Sequence, residues 1–349
     1  MSTVDTLRYA DYTLSDEQQA LAEAFGSFFE RESPVERVRA AEPLGFDREL
    51  WDHLSELRAV AMGVPEAQGG DGAGLAELVL VTEALGRHLA PVPLVEAAAA
   101  ARLLARAGGP EELLFQVTGG EQLPTLALHP AVPGRAQLVP AAAVADVVVG
   151  LVGEELVVTR PSAPPRAPAN QGSAPVAWWD PGASGTETTV LSRGGDATAV
   201  FHEAVREWKL LMAGALIGLA DGALRIGVEH ARSREAFGAL IGTFQAVAHP
   251  LVDVAMAIET GRRLLHKAAW TADRDPASRP HLVPMAYLHA TETAMQAGTV
   301  GVHVLGGVGF TLEGDEQLYF RRAKGWTLVA GDPKGELARI ADALYGPAS

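Results

Sequence analysis

The sequence contains no cysteine, which excludes disulfides, thiolate nucleophiles and cysteine-ligated zinc or iron–sulfur sites. Basic residues are in deficit as well: 28 Lys and Arg face 43 Asp and Glu, a net charge of −15. Such a surface repels phosphate backbones and anionic membranes, so nucleic acid is not an expected partner. No basic segment followed by an apolar run opens the chain, and no later stretch has the roughly 18 uninterrupted apolar residues of a membrane span. A cytoplasmic protein with no membrane contact is expected. No His, Asp and Glu set has metal-ligand spacing, so no metal is expected either. No G-x-G-x-x-G follows a strand, which removes the dinucleotide fingerprint.

What is present is a chain of 349 residues, long enough for a large core divided into more than one domain. Ser15-Asp16-Glu17-Gln18 has the form of a capping box and predicts a helix start. From there to about Thr118 the chain is rich in Ala, Leu and Glu at helical spacing, broken by Gly and Pro at 63–74 and 90–93. Between about Gly119 and Phe201 the valine-rich "DVVVGLVGEELVVTR" and the proline-rich "PSAPPRAPANQGSAP" predict a small β region with a long loop. The helical period returns at Ala204, where Val205, Trp208, Met212, Ala215 and Leu219 form one apolar stripe. Further helical runs are predicted around 244–272 and 283–305. Helices, then strands, then helices is not the alternation of a doubly wound α/β fold. The boundaries read as a helical domain at 1–118, a reduced β domain at 119–203 and a helical domain at 204–349.

Four stretches carry a family pattern: "MGVPEAQGGDGAGLAELVLVTEALGRHLAPVP" (62–93), "RSREAFGALIGTFQAVAHPLVDVAMAIETGRRLL" (232–265), "LGGVGFTLEGDEQLYFRRAK" (305–324) and "GELARIADAL" (335–344). Together, and in this order, they resemble acyl-CoA dehydrogenases, especially the short actinobacterial type whose members often work as unlike-subunit pairs. The resemblance implies a mainly α fold with an N-terminal helical domain, a small central β-barrel-like domain and a C-terminal four-helix bundle. It also implies FAD in a crevice shared between subunits, an acyl-CoA or related thioester as substrate, and α,β-desaturation. A homologous partner or self-association into a dimer or tetramer is expected on the same ground.

Carried onto this sequence, the resemblance makes Arg234 the contact to the FAD diphosphate of a neighbouring subunit, a task suited to the guanidinium's planar donors. Phe237 would pack beside the cofactor and Gln245 would hydrogen-bond it. His303 stands where relatives place a glutamine facing the cofactor, and a structural histidine is the equal alternative. Gly306, Gly307 and Gly309 would let a cofactor edge approach the backbone, or simply stop a helix and turn. His249 reads as structural, with Pro250 after it expected to disturb the helix. Arg262, Arg263, Arg321 and Arg322 read as solvated or subunit-contacting, and Trp178 and Trp179 as flanking a turn.

The pattern fails at the base. Removing a proton α to a thioester needs a positioned carboxylate, yet the three family positions fall on Ala330, Trp208 and, nearby, Ala215. Glu207 adjoins one of them, but one helical step of about 100° takes it off the stripe, so it is expected to be solvated. Asp332 lies in a Gly-Asp-Pro turn where an Asp usually bonds its own backbone. Glu207 and Asp332 are therefore weak candidates. The Gly-Ser-Asp and tryptophan-bearing segments that many relatives use around the flavin are missing from the middle region. Three readings stay open: one half of a heteromeric enzyme whose partner supplies the base, a self-sufficient enzyme with altered chemistry, or a flavin-free structural or binding subunit.

Overall fold

The computed structural model describes residues 11–132, 134–162 and 165–346. Its first helix, α1 (Asp16–Glu32), opens on the expected capping box: Ser15 Oγ accepts from the Gln18 N–H at 3.2 Å, and Gln18 Oε1 accepts from the Ser15 N–H at 3.0 Å. Two short helices follow, α2 (Val35–Ala40) and α3 (Arg48–Glu56), the latter capped by Asp47. The Gly- and Pro-rich stretch 63–74 forms turns only, and α4 (Leu75–Arg87), α5 (Leu94–Arg106) and α6 (Glu111–Thr118) come after it.

Six strands then appear: β1 (Pro124–Leu126), β2 (Gln137–Val139), β3 (Val147–Val152), β4 (Glu155–Pro161), β5 (Ala177–Trp179) and β6 (Thr186–Arg193). One sheet runs β1-β3-β4-β6, with β1 parallel to β3 and the other pairs antiparallel; β2 and β5 form a separate antiparallel ribbon. The ribbon closes over the sheet through Val139, Val148, Ala177 and Trp179. Trp179 fixes that packing, because its indole N–H donates to Thr159 Oγ1 at 2.8 Å and its ring lies over Gly150, where a Cβ would stand 2.6 Å from it. Trp178 and Trp179 end strand β5 and flank the Asp180–Ala183 turn that follows, and strand alternation turns the first outward and the second inward.

The long helix α7 (Gly195–Ser233) starts ahead of Ala204 because Ala197 and Phe201, both fully buried, continue the apolar stripe backward. A two-strand hairpin, β7 (Glu235–Ala236) and β8 (Ala239–Leu240), leads to α8 (Gln245–Arg274), α9 (Leu282–Leu305), α10 (Glu316–Leu328) and α11 (Gly335–Tyr345). The proline at 250 does not interrupt α8, which continues through it to Arg274. By composition α7 is long and apolar enough to cross a membrane, but most of its apolar window is buried in the protein.

The chain divides into two compact units, neither contiguous in sequence: Met1–Val35 with Leu75–Ala90 and Met212–Ser349, and Glu36–Gly74 with Pro91–Leu211. Inside the first unit, α7 meets α4 backbone to backbone. A Cβ on Gly218 would stand 1.8 Å from the Glu83 carbonyl oxygen, one on Gly214 2.4 Å from Thr82 Oγ1, and one on Gly222 2.6 Å from the Arg87 carbonyl oxygen. The four-residue repeat of glycines thus makes a groove into which α4 fits. Around it lies an ion network: Arg262 Nε to Glu83 at 2.8 Å and Arg87 Nε to Asp221 at 2.7 Å. Arg262 is therefore tied into the helix packing instead of being solvated, and Arg322 is only 2 % exposed. Both were drawn inward because their flanking helices bury the arginine stems.

One buried group lacks compensation. Glu316, the first residue of α10, has no exposed surface, neither carboxyl oxygen has a hydrogen-bond partner, and its Oε1 lies 2.0 Å from where a Cβ on Gly301 would stand. Burial, aided by the charge of Asp315, pushes its pKa up to about 9. A folded-state pKa above the unfolded value means that stability is fullest below the unfolded pKa and is lost as pH rises through the folded one. Denaturation measured from pH 4.5 to about 9 should show falling stability that Glu316→Gln flattens; an unchanged pH slope in the variant would contradict this. Separately, Gly218→Ala should cost about 1–3 kcal/mol in urea unfolding by overpacking, whereas a neutral effect would mean that the helices are not in backbone contact.

Candidate functional site

The sequence-predicted cofactor residues meet at one end of the bundle in the first unit. A small apolar cluster of Ala231, Leu251 and Val304, with Val228, Ile241 and Val247 packed against it, ties together the end of α7, the hairpin, the start of α8 and the end of α9. It therefore gathers the segments that carry Arg234, Gln245, His303 and the glycine turn. Arg234, Phe237, Gln245 and His303 are all exposed. Arg234 takes part in no side-chain hydrogen bond or ion pair among the described residues; its backbone closes the hairpin, accepting from the Ile241 N–H at 2.9 Å.

Phe237 is held in an uncommon state. Phe237 and Gly238 are the central residues of the hairpin turn and both have positive φ, 54° and 80°. Such primed turns match strand twist but favour Gly and Asn; a left-handed conformation costs other residues roughly 1–2 kcal/mol. The ring is also 98 % exposed, touching Phe244 edge-on at 6.3 Å. The fold gains almost nothing from this side chain.

At the glycine turn the three residues serve different ends. Gly306 ends α9 with φ of 63°, a conformation costly for any side chain. Gly309 packs on its own chain, a Cβ there meeting the Val302 carbonyl oxygen at 2.7 Å. Gly307 needs neither, since the space where its Cβ would sit is open to 4 Å. Beyond them Phe310 is 77 % exposed. Helix α8 opens at Phe244 without a capping side chain, so its first N–H groups point outward with the positive end of the helix dipole.

The three positions at which the resemblance would put a base are buried or part-buried and apolar. Ala215 is fully buried with its carbonyl oxygen 1.8 Å from where a Cβ on Gly86 would stand, Trp208 is fully buried, and Ala330 is part-buried in the turn after α10. Asp332 accepts from the Lys334 N–H at 3.0 Å, the local turn bond expected of it.

Glu207 corrects the sequence reading. It is buried, not solvated: Arg102 grips it with two bonds of 3.0 Å, and Arg106 bonds the same carboxylate. The off-stripe argument failed because residues 207–220 of α7 are buried on every side. Burial opposes the charge of Glu207, but the hydrogen bonds and charges of Arg102 and Arg106 outweigh it and hold the carboxyl below its usual range. With its lone pairs committed, Glu207 is a structural anion and a poor base.

A carboxyl missed from sequence is Glu96, in the second unit. It is the third residue of α5, flanked by buried Leu94, Val95 and Ala97–Ala101, and its Oε1 accepts from the indole N–H of Trp208 at 3.2 Å. Burial raises its pKa against the opposing hydrogen bonds from its own backbone and from Trp208. An acid amid an alanine run was the available signal; its partner lies 112 residues away.

Comparison with known proteins decides the family. The profile "Acyl-CoA dehydrogenase, N-terminal domain" matches residues 15–113 and "Acyl-CoA dehydrogenase, C-terminal domain" matches residues 198–345. This chain belongs to the acyl-CoA dehydrogenase family. Acyl-CoA dehydrogenase IpdE2 of Mycolicibacterium smegmatis is 31 % identical over 330 residues, covering 94 % of this chain and 98 % of the relative. Among solved structures, the ChsE4–ChsE5 complex from Mycobacterium tuberculosis superposes with a TM-score of 0.82 at 28 % identity, covering 97 % of this chain and 100 % of that one. A variant of the Tcur3481–Tcur3483 steroid acyl-CoA dehydrogenase gives a TM-score of 0.81 at 26 % identity, with 95 % of this chain and 98 % of that one covered. The acyl-CoA dehydrogenase fold thus extends through the β region where the sequence resemblance was weak.

The Arg102–Glu207 pair yields a stability prediction. Glu207→Gln should lower stability by about 3–5 kcal/mol, the usual cost of stranding a buried charge, measured by thermal and chemical denaturation. A loss of turnover with unaltered stability would instead give Glu207 a chemical role.

Proposed function

We propose that this chain is one subunit of a heteromeric, FAD-dependent enzyme that α,β-desaturates a CoA or carrier-bound thioester, its homologous partner supplying the proton-accepting carboxylate. The observation that carries the reading is the unspent set at the bundle end: an arginine with no anion, a strained and exposed aromatic, an uncapped helix start and an open glycine turn. Apart from Gly306 and Gly309, which end α9 and pack against it, the fold of this chain gains little from these features. All of them suit a flat, anionic nucleotide held mainly by a second chain. The resemblance to complexes of two unlike chains, ChsE4–ChsE5 and Tcur3481–Tcur3483, supports the heteromer. A cytoplasmic setting fits the acidic composition.

The residues present fit the cofactor. Arg234 would neutralise the diphosphate with its planar donors, assisted by the first N–H groups of α8. Gln245 would supply amide hydrogen bonds, Phe237 would lie along the ring system, and Gly306 and Gly307 would leave room for an edge. His303 would stand at the same surface as a hydrogen-bonding imidazole. FAD, when bound, accepts the hydride from the β-carbon. This chain's part is to hold the diphosphate, exclude water with its exposed apolar groups and leave α-proton removal to the partner, because its own positions are Ala330, Trp208 and Ala215.

Purification alone and together with a homologous chain from the same source tests the proposal by visible absorbance. Stoichiometric flavin is expected only in the pair, and Arg234→Ala should lower flavin occupancy at least tenfold while leaving the fold intact. Full flavin and desaturation by the isolated chain would overturn it.

A further inference from the structure

We propose that Glu316 is the positioning residue of the candidate cofactor surface and a proton-sensitive latch on it: its carboxyl, seated against Gly301, closes the loop that carries the glycine turn and releases that loop on ionising. The latch follows from the geometry of the loop alone. Its consequence for flavin rests on the reading of that surface as a cofactor site.

The loop between α9 and α10 leaves the bundle and rejoins it at neighbouring points. It folds back first at Gly309, where a Cβ would meet the Val302 carbonyl oxygen at 2.7 Å. A second turn follows, in which the Thr311 N–H donates to the Val308 carbonyl at 3.1 Å and the Gly314 N–H to the Thr311 carbonyl at 3.2 Å. Glu316 then returns the chain to α9 one residue away from Val302, at Gly301, where its Oε1 and Cγ lie 2.0 and 3.0 Å from where a Cβ would stand. A residue without a side chain is what admits a carboxyl this close to a helix backbone. From there contact passes to the apolar cluster under the cofactor surface. Gly301 and Leu251 lie 3.7 and 3.2 Å from where a Cβ on Gly227 would stand, and Leu251 packs with Ala231 and Val304. The closed loop in turn presents Gly307 to open space and leaves Val308, Phe310 and Leu312 exposed.

Packing, not bonding, holds this latch shut. Glu316 is fully buried, and neither carboxyl oxygen has a hydrogen-bond partner among the described residues. The charges around it do not offset burial. Asp315 beside it raises its pKa further, Tyr319 one turn along α10 feels its charge, and Arg322 of α10 and Arg225 of α7 act on Tyr319 rather than on Glu316, while α9 presents the Gly301 backbone. Seated, the carboxyl therefore keeps its proton up to about 9. Released into water, it returns to the ordinary carboxylate range and ionises. Each opening then gives up one proton between those two values, so the open fraction rises about tenfold per pH unit across the window. The sign is that of a raised folded-state pKa: the seat is firmest at low pH and is lost as pH rises through the folded value.

Hydrogen exchange on the isolated chain, corrected for the intrinsic pH dependence of amide exchange, reads the latch. Between about pH 6 and about pH 8, protection of the 306–318 segment should fall about tenfold per unit. Glu316→Gln, which keeps the shape without the titrating proton, should flatten that profile. A Glu316 that serves global stability alone would show its pH slope only in amides exchanging as slowly as the deepest core; a latch shows it in loop amides that exchange faster than those. If Glu316→Gln does not fold, Gly301→Ala, whose methyl displaces the carboxyl, must give loop exchange that is fast and independent of pH. In the two-chain complex, flavin retained through gel filtration should decrease from about pH 7 to about pH 9 in wild type and stay level in Glu316→Gln. A loop slope absent from wild type, or persisting in Glu316→Gln, overturns the latch. A pH-dependent loop in a complex whose flavin retention is the same in both proteins at every pH overturns its coupling to the cofactor. A complex that never holds flavin overturns the reading of the surface and leaves the latch standing.

Discussion

Between Glu207 and Ala220 the central helix has no solvent face, and every side chain there must find its partner inside the protein. That constraint organises much of the rest. On the stretch facing α4, glycines at 214, 218 and 222 replace side chains, so two backbones meet and their polar groups stay within their own helices. A charge in the same stretch cannot be left to water. Glu207 is consequently matched by Arg102 and Arg106, at a desolvation cost that only such close pairing offsets. Trp208, too large to leave its N–H unbonded, is matched by Glu96. A packing requirement thus buries two carboxyls in different company, one held by guanidiniums and the other by an indole N–H.

The end of the bundle obeys the opposite rule. There the fold leaves groups unmatched: Arg234 without an anion, Phe237 strained and in water, Gly307 facing open space. Local strain of this kind persists where a further binding event makes use of it. The small cluster built on Ala231, Leu251 and Val304 holds these groups together. The site is in this sense prepared but incomplete, which is the physical core of the heteromer proposal.

Much of the architecture was legible because its signals are local. The capping box at Ser15, the breaks at 63–74 and the helical periods of α8 and α9 depend on neighbours within a few residues. The family pattern extended this to long-range order. What sequence could not reveal was burial from all sides: the stripe through Trp208 predicted a solvated opposite face for Glu207. The glycines between the stripe residues serve contact with α4. Arg262 and Arg322 escaped for the same reason, since ion pairing and stem burial depend on residues far along the chain. The turn beside Trp178 and Trp179 was legible, but not the strand that divides them between solvent and core.

The proposed role requires Arg234 to meet a diphosphate that a second protein chain helps to hold. A crystal structure of the purified two-chain complex with FAD measures this directly. The expected result is the Arg234 guanidinium within hydrogen-bonding distance of the diphosphate oxygens, with Phe237 covered. A complex in which Arg234 still points into solvent, and the cofactor's phosphates lie elsewhere, would contradict it.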